Sequence, residues 1–309
     1  MKGSIYTIDS IRNGQRIDNF LLTCLKGVPR SHIYRLLRTG KIKVNGKRVK
    51  QTYRLVEADE ISVPALRVSH KLTPVIADDL QLLIKSSILF EDESILVINK
   101  PAGIAVHPGS RVSFGVIEVL RALRPEAPFL ELVHRLDRHT SGCLLVAKNK
   151  IMLNELHDLF RAREVEKEYL ALVKGQWKLG EKTILVPLKA HRRGPEELAG
   201  TSTDNRYKTA VTKFSPNKIC EEYSLLNIYI STGRTHQIRI HAAQLGHPVA
   251  GDRKYGDFAF NRACKKKGLK RMFLHSAMIA FRCRSNGVNY AITAPIDLEL
   301  KSFLSVLFD

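Results

Sequence analysis

The string HRLDRHTSG at residues 134–142 is a polar, turn-prone segment that runs directly into the apolar string CLLVA at 143–147. An apolar run of this length beside turn-forming residues indicates a buried strand, and charged loops fixed at strand ends commonly carry function. The segment holds a single carboxylate, that of Asp137. A lone aspartate in a loop is most often a cap or turn former, so the rest of the chain must decide its role.

The charge of the chain points to a polyanionic partner. Its 309 residues include 50 Lys and Arg against 30 Asp and Glu, a formal net charge of +20. Residues 1–64 alone hold 13 basic and 5 acidic side chains. An excess of this size typically serves to neutralise phosphates and release their counterions.

The apolar pattern predicts a globular, cytoplasmic protein without a membrane segment. No apolar run reaches the roughly 18 residues that a membrane span needs, and the first residues lack the hydrophobic stretch of a signal peptide. The five cysteines are scattered and never spaced as CxxC, which argues against a disulfide framework or a structural zinc site.

The first 64 residues predict a small basic unit. Apolar residues at helical spacing over 17–25 and 31–38 indicate two short helices, and arginines line the other side of the second. The Asn45-Gly46 pair favours a two-residue hairpin turn within 42–49, and a short strand is predicted over 60–63.

Beyond residue 86, short apolar runs alternate with turns and helical periods. This pattern indicates a sheet covered by helices, without an internal repeat, a P-loop or a GxGxxG string. Residues 189–206 are charged and contain Gly and Pro, which predicts an exposed loop. The strands are predicted at 95–98, 104–106, 143–147, 168–173, 223–230, 273–276 and 290–292, and the helices at 115–124, 151–163, 236–246 and from 297.

Two groups of strings carry resemblances to known families. The order RxDxxL followed by PRSxxxxLLRTGKIKVNGK resembles the S4-type RNA-binding domain over about residues 16–64. The strings INKPAG, HRLDRHTSG, EKEYLALV, GRTHQIR and HPVAGDRKYG, spread over 88–300, resemble the RluA class of pseudouridine synthases. Two further strings, SFGVIEVLRALRP at 113–125 and LELVHRLDR at 130–138, add to the S4-like segment. Together these features resemble, within that class, the type C enzymes of the large ribosomal subunit.

These resemblances imply an α+β architecture in which a small S4-like domain precedes a pseudouridine synthase catalytic domain. The catalytic domain is expected to hold a mixed, mainly antiparallel sheet flanked by helices. The implied boundaries are an N-terminal extension at 1–15, the S4-like domain at 16–64, a linker at 65–86 and the catalytic domain at 87–309. The implied RNA contacts of the S4-like domain are Arg16, Arg30, Arg35, Arg38, Lys41 and Lys43.

The class resemblance implies a role for Asp137 that ordinary chemistry supports. Pseudouridine formation breaks the N1–C1′ bond of a uridine, turns the base and rejoins it through C5. A fixed anion favours the positive charge that develops on the sugar. Asp137 can attack the sugar, attack the base or assist proton removal at the sugar, and the sequence leaves these three choices open.

The resemblance implies further site residues. The carboxylate must stay charged in a pocket dry enough to hold a detached base, so it needs a cation beside it, and Arg234 is expected to supply it through a bidentate contact. Arg135 is expected to enter the gap left by the flipped uridine, since a stacked base must leave the RNA helix before it can react. Tyr169 is expected to stack on the uracil and to assist proton transfer from C5.

The expected partner is 23S large-subunit ribosomal RNA, without an obligate protein partner and with the chain acting as a monomer. No cofactor is needed for a redox-neutral isomerisation, and the histidine spacings of 134/139 and 236/241 are poor metal-ligand patterns. Three alternatives remain open. The same enzyme acts on transfer RNA or other ribosomal sites, the chain is an inactive RNA-binding ribosome-assembly factor, or it is an RNA glycosylase, which commonly needs a second acid.

Overall fold

The computed structural model describes residues 3–25, 27–66, 76–108, 114–186, 188–189 and 207–308. The chain divides into two compact units, residues 1–75 and 76–309. Apart from Lys189, the predicted loop at 189–206 lies outside the described residues. None of the described helices is long and apolar enough to cross a lipid bilayer.

The N-terminal unit packs two helices against a three-stranded antiparallel sheet in which Glu60–Val63 is the central strand, between Ser4–Thr7 and Lys43–Val44. Its core contains the apolar faces predicted for both helices, including Ile17, Leu21, Ile33 and Leu37. The elements in chain order are β1 (Ser4–Thr7), α1 (Ile17–Cys24), α2 (Arg30–Arg38), β2 (Lys43–Val44) and β3 (Glu60–Val63).

Two sequence predictions for this unit need correction. Residues 1–15 are not a mere extension, because β1 pairs with β3 along its whole length, from Ser4 opposite Val63 to Thr7 opposite Glu60. The predicted hairpin at 42–49 keeps its turn, in which Asn45 and Gly46 both have positive φ, but β2 pairs mainly with β3. The Asn45-Gly46 turn therefore reverses the chain as the local sequence predicted. The strand before it pairs with β3, a partner that is distant in sequence.

The C-terminal unit is built on a ten-stranded mixed sheet. Its main path passes in order through the strands Ile88–Glu91, Ile95–Lys100, Ser141–Ala147, Leu274–Arg282, Glu166–Lys174, Tyr223–Ile230, Val211–Ile219 and Lys182–Leu185. Ser141–Ala147 and Leu274–Arg282 pair in parallel, and the other described pairs in this sheet are antiparallel. The predicted α+β fold with a mixed, mainly antiparallel sheet flanked by helices is therefore confirmed. The elements are α3 (Asp78–Ser86), β4 (Ile88–Glu91), β5 (Ile95–Lys100), α4 (Val116–Leu123), β6 (Glu131–Leu132), β7 (Ser141–Ala147), α5 (Lys150–Ala162), β8 (Glu166–Lys174), β9 (Lys182–Leu185), β10 (Leu188–Lys189), β11 (Tyr207–Lys208), β12 (Val211–Ile219), β13 (Tyr223–Ile230), α6 (Gln237–Gln244), α7 (Phe258–Lys266), β14 (Leu274–Arg282), β15 (Asn289–Thr293) and α8 (Leu298–Phe308).

The central strands are buried on both faces, which explains why they read as continuous apolar runs rather than alternating ones. On β7, Leu144 and Val146 face a cluster that includes residues of α3, α4 and α6, whereas Cys143 and Leu145 face a cluster that includes residues of α5. Residues of α7 and α8 cover a third cluster against β8 and β13. Helices therefore cover both faces of the sheet where β7 begins, four residues after Asp137.

Two predicted segments of this unit are different in the structure. Residues 78–86, expected within the linker, form α3, and Ile84 is buried in the core of the C-terminal unit. Residues 104–106 do not form a strand, because the carbonyls of Ala105 and Val106 accept hydrogen bonds from the first turn of α4 instead of from a neighbouring strand. The apolar run at 104–106 did not by itself show whether its backbone would pair with a strand or with the start of a helix.

Candidate active site

Asp137 lies in the loop between β6 and β7, and the backbone of this loop is tied to the segment 100–103. The Arg138 carbonyl accepts hydrogen bonds from the Gly103 amide at 2.8 Å and from Lys100 Nζ at 3.2 Å. Arg138 Nε in turn donates to the Gly103 carbonyl at 2.7 Å, and the Thr140 amide donates to the Asp137 carbonyl at 3.1 Å. The position of the Asp137 main chain is thus fixed from both sides.

Lys100 is a buried cation beneath this loop. Its side chain is fully buried, and Nζ also donates to the carbonyls of Pro101 at 2.7 Å and Ile104 at 2.9 Å. Burial lowers the pKa of Lys100 to about 7, with the nearby charge of Arg271 acting in the same direction and that of Asp137 opposing it. Lys100 therefore joins the INKPAG string to the loop that carries Asp137, through hydrogen bonds to main-chain carbonyls.

The cation that pairs with Asp137 is Arg239, on the first turns of α6. Arg239 Nη1 lies 3.2 Å from Asp137 Oδ2, and both side chains are mostly buried, with 10% and 19% of their surface exposed. Burial lowers the pKa of Arg239, but its hydrogen bonds and charge interactions with Asp252, and then with Asp137, raise it overall above its ordinary value. A permanent positive charge thus faces the carboxylate in a poorly solvated place.

A second carboxylate, that of Asp252, holds Arg239 from the opposite side. Arg239 Nε and Nη2 donate to its two oxygens at 2.7 Å each, a bidentate pair. The amides of Lys254 and Tyr255 also donate to Asp252 Oδ1. Burial raises the pKa of Asp252, but Arg239 and these amides lower it overall. Asp252 is only 1% exposed, so it orients Arg239 and offers no second acid to a substrate.

His236 also lies beside Asp137. Its Nε2 lies 3.7 Å from Asp137 Oδ2, and its Nδ1 shares a hydrogen bond with the Tyr255 hydroxyl at 3.0 Å. His236 is the N-cap of α6 with a left-handed φ of 58°. This left-handed turn at the start of α6 places His236 Nε2 and Arg239 Nη1 near the same oxygen, Asp137 Oδ2.

Tyr169 on β8 lines the same pocket as Asp137 and Arg239. The register aligns Tyr169 with Ser276 of β14, and Ser276 with Gly142 of β7, so one row across three strands connects Tyr169 to the strand that follows the Asp137 loop. Burial raises the pKa of Tyr169 to about 12, so its hydroxyl remains protonated at neutral pH.

The expected ion pair between Arg234 and Asp137 is corrected by the structure. Arg234 lines the pocket, but among the described residues it makes no ion pair, and its Nε donates to the Thr209 carbonyl at 3.5 Å. Its amide donates to Gln237 Oε1 at 3.0 Å. Both arginines belong to the string GRTHQIR, which contains the signal for Arg239, but the left-handed residue between them directs only Arg239 toward the carboxylate.

Arg135 lies at the mouth of the pocket, two residues before Asp137. Its side chain is exposed, and no hydrogen bond or ion pair holds it within the described part of the chain. Within that same part, no group of three or more side chains is arranged to hold a metal ion.

The six residues expected to contact RNA in the N-terminal unit fall into three groups. Arg16 donates from Nε and Nη2 to the buried Asp18 at 3.1 and 2.8 Å, so it has a structural partner. The side chain of Arg30 lies outside the described residues. The side chains of the other four are exposed and form no ion pair with a described residue: Arg35, Arg38, Lys41 and Lys43.

Comparisons with known families match both parts of the chain. The model of the RNA pseudouridylate synthase family matches residues 94–244, and the model of the S4 domain matches residues 15–61. Both resemblances expected from the sequence strings are confirmed.

Curated relatives cover nearly the whole chain. The ribosomal large subunit pseudouridine synthase C of Pasteurella multocida is 48% identical over 304 residues, which cover 97% of this chain and 93% of the relative. The protein of the same name from Escherichia coli (strain K12) is 47% identical over 311 residues, covering 98% and 96%. The similarity therefore includes both units and is not confined to one of them.

Solved structures support the fold. Human RNA pseudouridylate synthase domain containing 4 aligns with a TM-score of 0.62 at 24% identity, covering 74% of this chain and 95% of that one. Human RNA pseudouridylate synthase domain containing 1 aligns with a TM-score of 0.55 at 27% identity, covering 68% and 83%.

Proposed function

The chain belongs to the RNA pseudouridylate synthase family, and from this premise we propose that it isomerises specific uridines of large-subunit ribosomal RNA, 23S, to pseudouridine. Its nearly full-length relatives are named for the ribosomal large subunit, and its first unit matches the S4 domain. The observation that carries the proposal is the contact between Asp137 and Arg239 in the pocket that Tyr169 also lines.

The reaction exchanges one bond for another within a single nucleotide. The N1–C1′ bond breaks, the detached uracil turns, C5 bonds to C1′, and the loss of the C5 proton is balanced by a proton at N1. Positive charge develops on the sugar as the glycosidic bond breaks, and a fixed carboxylate stabilises that charge. Asp137 is the proposed catalytic carboxylate because it combines partial exposure to the pocket with a fixed main chain.

Arg239 is proposed to act as the positioning cation, in the place first expected for Arg234. Its other two donors are bound by the buried Asp252, so the guanidinium keeps one orientation whether or not RNA is present. Preorganised charges of this kind contribute because they need no rearrangement during the reaction. Arg234 lines the opening of the pocket and is proposed to contact substrate rather than Asp137.

Tyr169 is proposed to support the detached uracil by ring stacking. The raised pKa of about 12 opposes a role as a phenolate base at neutral pH, although the protonated hydroxyl can donate a hydrogen bond. Its buried position on β8 keeps the ring beside Asp137. Aromatic rings commonly hold flipped bases in this way.

Arg135 is proposed to fill the gap that the flipped uridine leaves in the RNA. A long, exposed side chain without a partner in the described protein is free to enter a base stack. Unstacking costs a few kcal/mol, and an inserted guanidinium offsets part of that cost. In the N-terminal unit, Arg35, Arg38, Lys41 and Lys43 are proposed phosphate contacts that fix the position of the RNA.

The reaction is proposed to take place in the cytoplasm, where bacterial ribosomes are found, and to need no obligate protein partner. Several relatives named for the large subunit are bacterial proteins. The chain is also proposed to act as a monomer.

The test is chemical mapping of pseudouridine in cells that lack this protein and are complemented with wild type, Asp137→Asn or His139→Asn. We expect a small set of large-subunit uridines to lose modification, and wild type and the loop control His139→Asn to restore it. Full restoration by Asp137→Asn would refute the catalytic role of that carboxylate. Loss of modification in transfer RNA instead of ribosomal RNA would refute the proposed substrate.

A further inference from the structure

A second cleft adjoins the pocket of Asp137 and shares Arg135, Tyr169 and Arg234 with it. Its remaining wall comes from the C-terminal end of α5, the start of β8 and the end of β13. Five cations line this basic cleft, and no carboxylate is found among its described lining residues. They are Arg135, Arg161, Arg163, Lys167 and Arg234.

Lys167 is the most buried of these cations. It is 7% exposed, and its Nζ donates to the Val165 carbonyl at 3.1 Å. Nζ also stands 5.0 Å from the centroid of the Phe160 ring. Within the described part of the chain it pairs with no carboxylate, although a buried charge without an ionic partner is costly. An anion that enters the cleft would supply the missing partner.

Arg163 is a second cation of the cleft whose ionic partner is absent among the described residues. It ends α5 in a left-handed conformation with φ of 63°, and its side chain is exposed. Arg161, by contrast, already pairs with Asp158 on the same helix. Arg163 and Lys167, like Arg135 and Arg234, therefore have no ionic partner among the described residues, and these two come from neighbouring positions at the end of α5 and the start of β8.

The cleft offers a site for phosphate rather than for a base. Phe160 already stacks on His134, with ring centroids 5.2 Å apart and an interplanar angle of 23°, and also contacts Lys167. His134 is itself fixed, because the Leu145 amide donates to its Nε2 at 3.1 Å. Since these two rings are engaged inside the protein and Tyr169 is assigned to the uracil, the positive charges are the groups that suit an adjoining part of the RNA.

We propose that the basic cleft binds one phosphodiester group next to the flipped uridine, and that Lys167 and Arg163 are its contacts. The inference rests on the proposed function, because it assigns the anion to the substrate RNA. A phosphate held here lies beside both Arg135 and Tyr169, so it fixes the strand on one side of the extruded nucleotide. Lys167 and Arg163 are thus RNA-positioning residues, separate from the pair of Asp137 and Arg239.

The experiment removes the negative charge of single RNA linkages and, separately, the positive charge of Lys167 or Arg163. Large-subunit RNA fragments carry a neutral methylphosphonate at one linkage at a time, within two nucleotides on either side of the target uridine, and their affinity for each protein is measured. We expect one linkage to lower wild-type affinity by about tenfold, the size of one hydrogen bond to a charged group. Lys167→Gln and Arg163→Gln should each bind the unmodified RNA about tenfold more weakly than wild type does. Placing the neutral methylphosphonate at that linkage should then lower the affinity of either variant only slightly further.

The matched control is Lys266→Gln, which removes one positive charge from the exposed end of α7 and should retain the wild-type sensitivity to that linkage. Arg163 is exposed, so its variant keeps the test decisive if Lys167→Gln folds poorly. Tolerance of every neutral linkage by wild type, or a full further loss in Arg163→Gln, would overturn the proposal. Turnover of the unmodified RNA is measured separately: its absence counts against the proposed function, whereas the affinity comparison still decides the role of the cleft.

Discussion

Arg239 joins two carboxylates, because its Nη1 lies 3.2 Å from Asp137 Oδ2 while its Nε and Nη2 each lie 2.7 Å from Asp252. The pair with Asp252 is buried and bidentate, so it sets the plane of the guanidinium. Because that plane is set, Nη1 approaches Asp137 from one fixed direction. The candidate active site therefore depends on a cation whose orientation is set from inside the protein.

Arg239→Lys should greatly reduce catalysis, because an ammonium group cannot contact both carboxylates in the geometry of a planar guanidinium. We expect kcat for pseudouridine formation to fall by about 10² to 10³, as when one preorganised donor is lost, with a smaller change in KM. Single-turnover kinetics on a mapped RNA fragment measures this. The matched variant is Arg234→Lys, and a loss in kcat as large as that of Arg239→Lys would contradict the assignment.

Gly142→Ala should prevent normal packing of β7 against β14. Gly142 has φ of 107°, and an added Cβ would lie 2.1 Å from the Ser276 carbonyl oxygen, which belongs to the neighbouring strand. We expect a loss of about 3 kcal/mol or more in the free energy of unfolding, measured by urea denaturation. Gly103→Ala is the control, since its φ is 87° but nothing lies within 4 Å of the added atom, so only backbone strain is introduced. Equal losses in both variants would refute the steric argument.

Stability should fall in acid partly because of His241 on α6. It is fully buried, its Nδ1 shares a hydrogen bond with Thr212 Oγ1 at 2.9 Å, and burial lowers its pKa to about 4. In the unfolded chain the imidazole takes up a proton near its ordinary pKa of about 6.5. Between these two values the unfolded state binds more protons, so stability is lost as pH falls through that window.

His241→Asn removes this titration while keeping a polar group for Thr212. Between pH 7.5 and pH 5, wild type should lose about 2 kcal/mol more free energy of unfolding than the variant. Urea denaturation at the two pH values gives the difference. Parallel losses in both proteins would show that His241 does not contribute to the acid sensitivity.

The basic side chains of the N-terminal unit should differ in what their removal changes. Arg35→Gln combined with Arg38→Gln removes two exposed charges. Because each lost phosphate contact changes the slope of log affinity against log salt by about 0.7 to 0.9, the steepness of that slope should fall by about 1.4 to 1.8. Filter binding at several salt concentrations measures the slope. Arg16→Gln should instead lower stability, because it leaves the buried Asp18 without its ionic partner. An unchanged slope in the double variant would rule out these two arginines as RNA contacts.

Local features of the structure were largely predictable from the sequence. The apolar run after residue 142 forms a fully buried strand, and helical spacing placed α1, α2, α4 and α5 to within two residues at either end. These features follow from periodicity and burial, which neighbouring residues determine together. The short strand β1 was missed, because its pairing with β3 connects residues more than fifty positions apart.

The sequence by itself determined the family, and it predicted a two-part organisation with Asp137 as the candidate catalytic carboxylate, since ordered strings and net charge need no coordinates to be recognised. Only the tertiary structure decided which arginine faces that carboxylate. Arg234 and Arg239 lie in one seven-residue string and have the same chemistry, and the choice between them depends on the left-handed turn at His236 and on a contact across 102 positions of sequence. A pairing of this kind is set by the packing of α6 against the sheet and by the buried Asp252, neither of which a local pattern encodes.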